Sequence, residues 1–203
     1  MTTPILINKI NDRQNIAALK KTYSMLSQVT VSIVSEYGSM ANLCETKDND
    51  CLRNIYKKYI KTIKTCDVGS VEGNCWVLQN DWKRKNGVSA WSQNDSSGLI
   101  LSDGTFVTFT YYAANCDYLD GMEDLPAIFA LCGSMMIDVN GKKRPNIIGK
   151  DIFGIYIAKN RLVPHGTEGT WTGTDKYYRC ADGGDGEACA AEYISNVKVK
   201  FKN

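Results

Sequence analysis

Residues 4–37 read PILINKINDRQNIAALKKTYSMLSQVTVSIVSEY and carry one uninterrupted helical pattern. In the second half, from Ile16 to Tyr37, apolar side chains recur at steps of three and four residues, as on one face of a helix. Pro4 is tolerated in the first turn of a helix, and Gly38 is a typical residue just after the last turn. The pattern predicts a single helix about 51 Å long at 1.5 Å per residue.

The two halves of this predicted helix differ in composition. The second half carries a single apolar stripe suited to packing on a sheet, whereas the first half has a polar run at 11–15 after a short apolar cluster: Ile5, Leu6, Ile7 and Ile10. A helix longer than the globule it packs on must protrude, so we expect its front end to stand clear of the body. The alternative is a kinked pair of ordinary core helices.

The rest of the chain reads as one more helix followed by strands. Apolar spacing predicts a second, short helix at 48–64, and a hairpin follows at 98–112, around Ser-Asp-Gly. Further strands are predicted at 129–139, 152–158 and 162–164. Helices followed by strands favour an α+β fold, with the long N-terminal helix packed on an antiparallel sheet.

The chain is long enough for one domain, 1–203, which we divide into four regions. The N-terminal helix occupies 1–38, a variable helix and loop region 39–97, the antiparallel sheet 98–163, and a C-terminal region bounded by a disulfide 164–203. A content of 43% hydrophobic and 23% charged residues excludes a disordered chain. A net charge of +2 excludes nucleic-acid binding by bulk charge, and we assign the lysines of 48–64 to a solvated helix face.

Eight cysteines without a C-x-x-C motif point to disulfides rather than zinc. Their spacing favours four local bridges, the simplest of the 105 possible connectivities: Cys44–Cys51, Cys66–Cys75, Cys116–Cys132 and Cys180–Cys189. This predicts an oxidising compartment, the periplasm or the cell exterior, and the alternative is eight free thiols in the cytosol. The opening MTTPILINKI lacks the features of an export signal, so we expect a targeting segment to precede it.

Catalytic signals are weak. The single histidine, His165, lies between Pro164 and Gly166 in a predicted turn, and no G-x-S-x-G motif is present. The cysteines are assigned to disulfides. We therefore expect His165 to be a surface residue and the protein not to be an enzyme, with a small hydrolase as the remote alternative.

Two oxygen-rich loops are candidate calcium sites. Asp138 and Asn140 precede a glycine, and Asp151 follows thirteen residues after Asp138; carboxylate and amide oxygens gathered by a tight turn suit Ca²⁺. The second loop carries three acids: Asp182, Asp185 and Glu187. The alternative for both loops is a plain turn, in which Asp and Asn cap their own backbone.

Three of the four tryptophans, Trp76, Trp82 and Trp91, lie in the loop-rich stretch 67–97. They suit either an aromatic platform for sugar or a small satellite core under a long loop, and we favour the core.

Four stretches resemble known proteins: 3–28, 96–109, 134–157 (SMMIDVNGKKRPNIIGKDIFGIYI) and 180–194. They are similar to type IV pilins and type II secretion pseudopilins, which carry a prepilin-type N-terminal cleavage and methylation signal. The third stretch is the most specific, since it is similar to a D-x-N-G-x-K-G-P-N-x-x-G-x-D-x-F pattern in pilin-like proteins; Arg144 departs from the usual glycine. Residues 39–95 carry no such likeness.

The resemblance implies a ladle-shaped filament subunit of a type IV pilus or type II secretion system. An apolar helix segment before Thr3 would anchor the subunit in the inner membrane until it joins a periplasmic or extracellular filament. The partners would be other pilin or pseudopilin subunits, and Ile5, Leu6, Ile7 and Ile10 would extend the central helix bundle. The rival interpretation is a secreted or surface binding module, adhesin-like, for a carbohydrate or protein ligand.

Overall fold

The computed structural model describes residues 4–118, 130–196 and 198, with side chains described from residue 10 onward. The fold is α+β, with an N-terminal helix and a six-stranded antiparallel sheet. Helix α1 is one continuous helix, Pro4–Tyr37, of 34 residues, as predicted. Its end is closed by Gly38, whose φ of +85° is a left-handed conformation that glycine adopts without steric cost.

The strands follow one another in the sheet in chain order, each antiparallel to the next. Their bounds are Thr62–Cys66 (β1), Ser97–Leu101 (β2), Phe106–Tyr111 (β3), Leu131–Asp138 (β4), Ile152–Ala158 (β5) and Leu162–Pro164 (β6). The hairpin and the three later strands are therefore confirmed, except that Phe129 of the predicted 129–139 strand lies outside the described residues. The meander order follows from short connections, which keep consecutive strands adjacent.

The second helix is shorter than predicted. Helix α2 spans Asn49–Lys57, and its first turn is capped by the Asp48 carboxylate, which accepts a hydrogen bond from the Cys51 amide at 2.9 Å. Residues 62–64, which we predicted as the end of this helix, instead belong to β1, Thr62–Cys66, so the sheet begins at Thr62 rather than at Gly98. Pairing with the open edge of β2 outweighs the weak helical spacing there.

One face of the sheet carries the main core. Helices α1 and α2 pack on it, and the inward residues of α1 are Leu19, Thr22, Leu26, Val29, Thr30 and Ile33. A buried hydrogen bond of 2.7 Å between the Thr30 and Tyr56 hydroxyls joins the two helices inside this apolar layer. Tyr37, which we placed on the packed stripe, is 43% exposed.

The opposite face of the sheet is covered by two irregular regions. Over one half, Trp76 and Trp82 are fully buried and pack edge to face at 5.6 Å, so the satellite core is confirmed. Over the other half lies part of the C-terminal region, with the short helix α3, Trp171–Thr174. Helix α4, Cys189–Ser195, packs instead on the first face, where Cys189 and Ala190 join the main core and Tyr193 contacts Phe153. An open space remains between the two coverings.

All eight cysteines form disulfides, and each pairs with its nearest neighbour in the chain, as predicted. Four disulfides place the protein outside the cell or in the periplasm. Within the described residues, helices long and apolar enough to cross a bilayer do not occur.

Candidate functional sites

The front of α1 is the first candidate site. Within the described side chains, residues 10–14 are all exposed, and the first buried side chain of the helix is Leu19. Residues 15, 16 and 18 are half-buried, and Ala18 already packs against the core, so the exposed part of the helix that the structure describes is 10–14, about 7 Å long. Ile10 is 48% exposed. Ile5, Leu6 and Ile7 lie on the same helix, but their side chains are outside the described residues.

The turn between β4 and β5 is the second candidate site, and Asp151 organises it. Its carboxylate accepts hydrogen bonds from the amides of Asn146 (2.8 Å) and Ile147 (2.7 Å) and from the Asn140 side chain (3.2 Å). Asp138 lies beside it and accepts a bond of 3.2 Å from the Asn140 amide. The structure thus brings together all three predicted ligands.

Asp138 is the unusual member of this group. Its side chain is fully buried, and its Oδ2 has no hydrogen-bond partner within the described residues. Burial raises the pKa of Asp138 well above its usual value, and the neighbouring Asp151 charge raises it further. Burial also raises the pKa of Asp151, although its amide donors oppose the shift. Two adjacent carboxylates therefore share a buried site, and neither forms a salt bridge with the described residues.

The oxygen atoms gathered at this turn suit a hard cation. Asn140 Oδ1 and Asn146 Oδ1 are also buried without a donor in the described part of the chain, and both residues bond Asp151 through nitrogen. Since that part holds no cluster of three His, Cys, Asp or Glu side chains, a cation here needs these amide oxygens. Carboxylate and amide oxygens are what Ca²⁺ takes. Calcium at Asp138, Asn140 and Asp151 stays a prediction.

The second acidic loop has another arrangement. Asp182 is exposed, while Asp185 is buried and pairs with Arg84 at 3.1 Å. Glu187 is also buried, and its carboxylate lies 3.4 Å from His165 Nδ1. Burial and the Glu187 charge raise the pKa of Asp185 to about 7. The three acids do not converge on one point, so this loop does not form the cation site considered from sequence.

A pocket on the second face of the sheet is the third candidate site. It has a volume of about 510 Å³ and lies between the tryptophan-rich loop and the C-terminal region. Its floor is a row of hydroxyl side chains on three neighbouring strands, Thr110, Ser134 and Tyr156. Aromatic rings are prominent in its lining: Trp91, Tyr112, Tyr118, Tyr156, Trp171 and Tyr178.

His165 lines this pocket, and our prediction of a surface histidine was wrong. It is 5% exposed and stacks on the Tyr156 ring at 3.9 Å. Gly154 makes room for it, because a Cβ there would lie 2.2 Å from His165 Nδ1. The turn of Pro164–Gly166 folds back over β5 rather than into solvent, since His165 N donates to Gly154 O at 3.0 Å.

Sequence reasoning missed the pocket because its residues come from 84–187 and share no local motif. One signal was present: Gly154 interrupts an otherwise bulky strand, which often marks a close approach of another group. Of the three tryptophans we singled out, only Trp91 lines the pocket.

Comparison of the chain with protein-family models, with curated proteins and with solved structures finds no match to any of them.

Proposed function

We propose that this protein is a structural subunit of a type IV pilus or type II secretion filament and assembles through α1. The observation that carries the proposal is the single 34-residue helix in which the described side chains 10–14, ahead of the core, are all exposed. An exposed stretch of helix adds little to the stability of the subunit, because most helical stability in proteins comes from packing an apolar face against the core. A front end of this kind is suited to contacts with other molecules.

The assembly mechanism follows from the shape of the helix. Front ends of α1 from neighbouring subunits pack side by side with an apolar segment that precedes Thr3, and the α+β bodies cover the outside. The contacts are head-to-tail, so they propagate as a helical filament rather than close into a ring. Before assembly, the apolar segment holds the subunit in the inner membrane; about 20 such residues span a bilayer.

Two further features support this proposal. The resemblance of 3–28 and 134–157 to pilin-like proteins is one of them. The other is the set of four short-range disulfides, which brace thin loops on a surface exposed to the medium. Each such bridge typically contributes about 2–4 kcal/mol.

The test is Ile10→Asp in cells that produce the protein, with Val88→Asp as the matched control. Ile10 is 48% exposed on α1 and Val88 is 52% exposed on a loop, so both variants keep the monomer folded. We expect Ile10→Asp to abolish filaments in the sheared surface fraction, because it places a charge in the helix bundle. Filaments unaffected by Ile10→Asp would contradict assembly through this helix.

The rival function is a secreted binding module acting through the 67–97 tryptophans. Of these only Trp91 is available to a ligand, because Trp76 and Trp82 are fully buried. A ligand site elsewhere on the subunit is compatible with filament assembly.

A further inference from the structure

The 510 Å³ pocket is built by the fold rather than left by loose packing. Thr110, Ser134 and Tyr156 are direct cross-strand partners and form a rigid floor. Trp91 stands on one side and Trp171 on the other. The volume falls within the roughly 300–1,000 Å³ typical of small-molecule sites.

Some buried polar atoms that line the pocket have no hydrogen-bond partner within the described residues. Neither ring nitrogen of the buried His165 makes a hydrogen bond within the described part of the protein, and Nδ1 has only the Glu187 carboxylate, 3.4 Å away, near it as an ionic neighbour. The Arg84 Nε is also buried and unpaired there. A buried polar atom without a partner costs about 1–3 kcal/mol, so a ligand that pairs these atoms recovers that energy.

The charged groups of the pocket already have partners, which argues against an ionic ligand. Arg84 Nη1 donates to the Tyr177 hydroxyl at 2.8 Å and to Asp185 Oδ2 at 3.1 Å, and the guanidinium lies over the Trp91 ring at 5.1 Å. Glu187 faces His165 at 3.4 Å. Most of the remaining polar groups are hydroxyls. Those of Thr110 and Ser134 already share one hydrogen bond each, with Ser96 at 2.8 Å and with Tyr112 at 2.6 Å, and since a hydroxyl has one proton and two lone pairs, each keeps capacity for a ligand.

Aromatic faces together with hydroxyl, amide and imidazole groups match one ligand chemistry in particular. A sugar presents an apolar C–H face for a ring to cover and a rim of hydroxyls that each donate and accept. Trp171 offers such a face at the entrance, where it is 42% exposed. Tryptophan and tyrosine supply this mixture of apolar body and polar edge.

We propose that the pocket between Trp91 and Trp171 binds a neutral carbohydrate. The sugar ring lies against Trp171, and its hydroxyls pair with His165 and with the hydroxyl row on the floor. In a filament, every subunit would carry one such sugar site, and the repeated sites would raise the avidity for a surface that carries many copies of the sugar.

The experiment screens the purified chain on a glycan array, then titrates the methyl glycosides of glucose, galactose, mannose and N-acetylglucosamine. Tryptophan fluorescence and saturation-transfer NMR follow binding. We expect at least one glycoside to bind, Trp171→Ala to weaken it at least tenfold, and Ser134→Ala to weaken it about threefold. Tyr37→Ala, at a similarly exposed aromatic residue far from the pocket, should leave the affinity unchanged.

Three outcomes overturn the proposal. The first is that no sugar binds in either assay. The second is that sugar binding is equal in Trp171→Ala and the wild type. The third is that tetramethylammonium or inorganic phosphate binds in the pocket in preference to every glycoside, which would assign the site to a charged ligand.

Discussion

Adding Ca²⁺ should stabilise this protein through the turn between β4 and β5. Three buried oxygens there, on Asp138, Asn140 and Asn146, have no donor within the described residues. A cation that they coordinate also neutralises the adjacent Asp138 and Asp151 carboxylates. At a free Ca²⁺ concentration 100 times the Kd, the free energy of unfolding rises by about 2.7 kcal/mol. For a chain of this length that is a rise in Tm of about 5–11 °C.

The assay is thermal unfolding in Ca²⁺ and in EGTA, followed by circular dichroism, with calorimetric titration to count sites. Asp138→Asn should abolish the response while leaving the protein in EGTA at least as stable, because the amide removes a buried charge without changing shape. Asp151→Asn should lower stability in both buffers, because its carboxylate accepts three hydrogen bonds.

Asp182→Asn is the matched control, since Asp182 is an exposed acid on the other acidic loop, and it should keep the full Ca²⁺ response. A Tm that is the same in Ca²⁺ and EGTA, together with no heat of binding, would refute the reasoning. So would a response that persists in Asp138→Asn.

Three further predictions concern stability. Arg53→Met should lower the free energy of unfolding by about 1–3 kcal/mol in urea titration, because it leaves the Cys66 carbonyl, which the buried guanidinium bonds at 2.7 Å, without a donor; an unchanged free energy of unfolding would contradict this. The pKa of Asp185 is raised to about 7, so the native state holds that proton more tightly than the unfolded state does, and stability should fall as pH rises from about 4 to 7; Asp185→Asn should flatten that slope, and an unchanged slope would be evidence against it. Reduction of the four disulfides should lower Tm by more than 10 °C in differential scanning calorimetry, because each bridge contributes about 2–4 kcal/mol; a Tm unaffected by reductant would show that the bridges do not constrain the unfolded chain.

Much of the fold is predictable from local pattern. The long helix, the 98–112 hairpin and the later strands each carry their own periodicity, so the spacing of apolar residues is sufficient. The disulfide pairs follow for a similar reason, because bridges between near neighbours need only local turns. Strand β1 was missed because its residues, TIKTC, have no apolar alternation, and its pairing with β2 is a tertiary effect.

The candidate sites also differ in whether local sequence is enough to predict them. Asp138, Asn140 and Asp151 were found from sequence because one turn brings them together. We did not predict Asn146 as part of this site, although it lies between Asn140 and Asp151 in the chain. Only the structure shows that its amide oxygen is buried without a hydrogen-bond donor. The pocket could not be found, since it depends on how the tryptophan-rich loop and the C-terminal region divide one face of the sheet. His165 was misplaced for that reason.

Filament assembly through α1 is tested most directly by cryo-electron microscopy of filaments sheared from producing cells. The account predicts that this chain is in the filament, with the front of α1 running along the axis and Ile10 buried against a neighbouring subunit. Producing cells whose filaments lack this chain, or a map in which residues 10–18 of α1 face solvent, would contradict it.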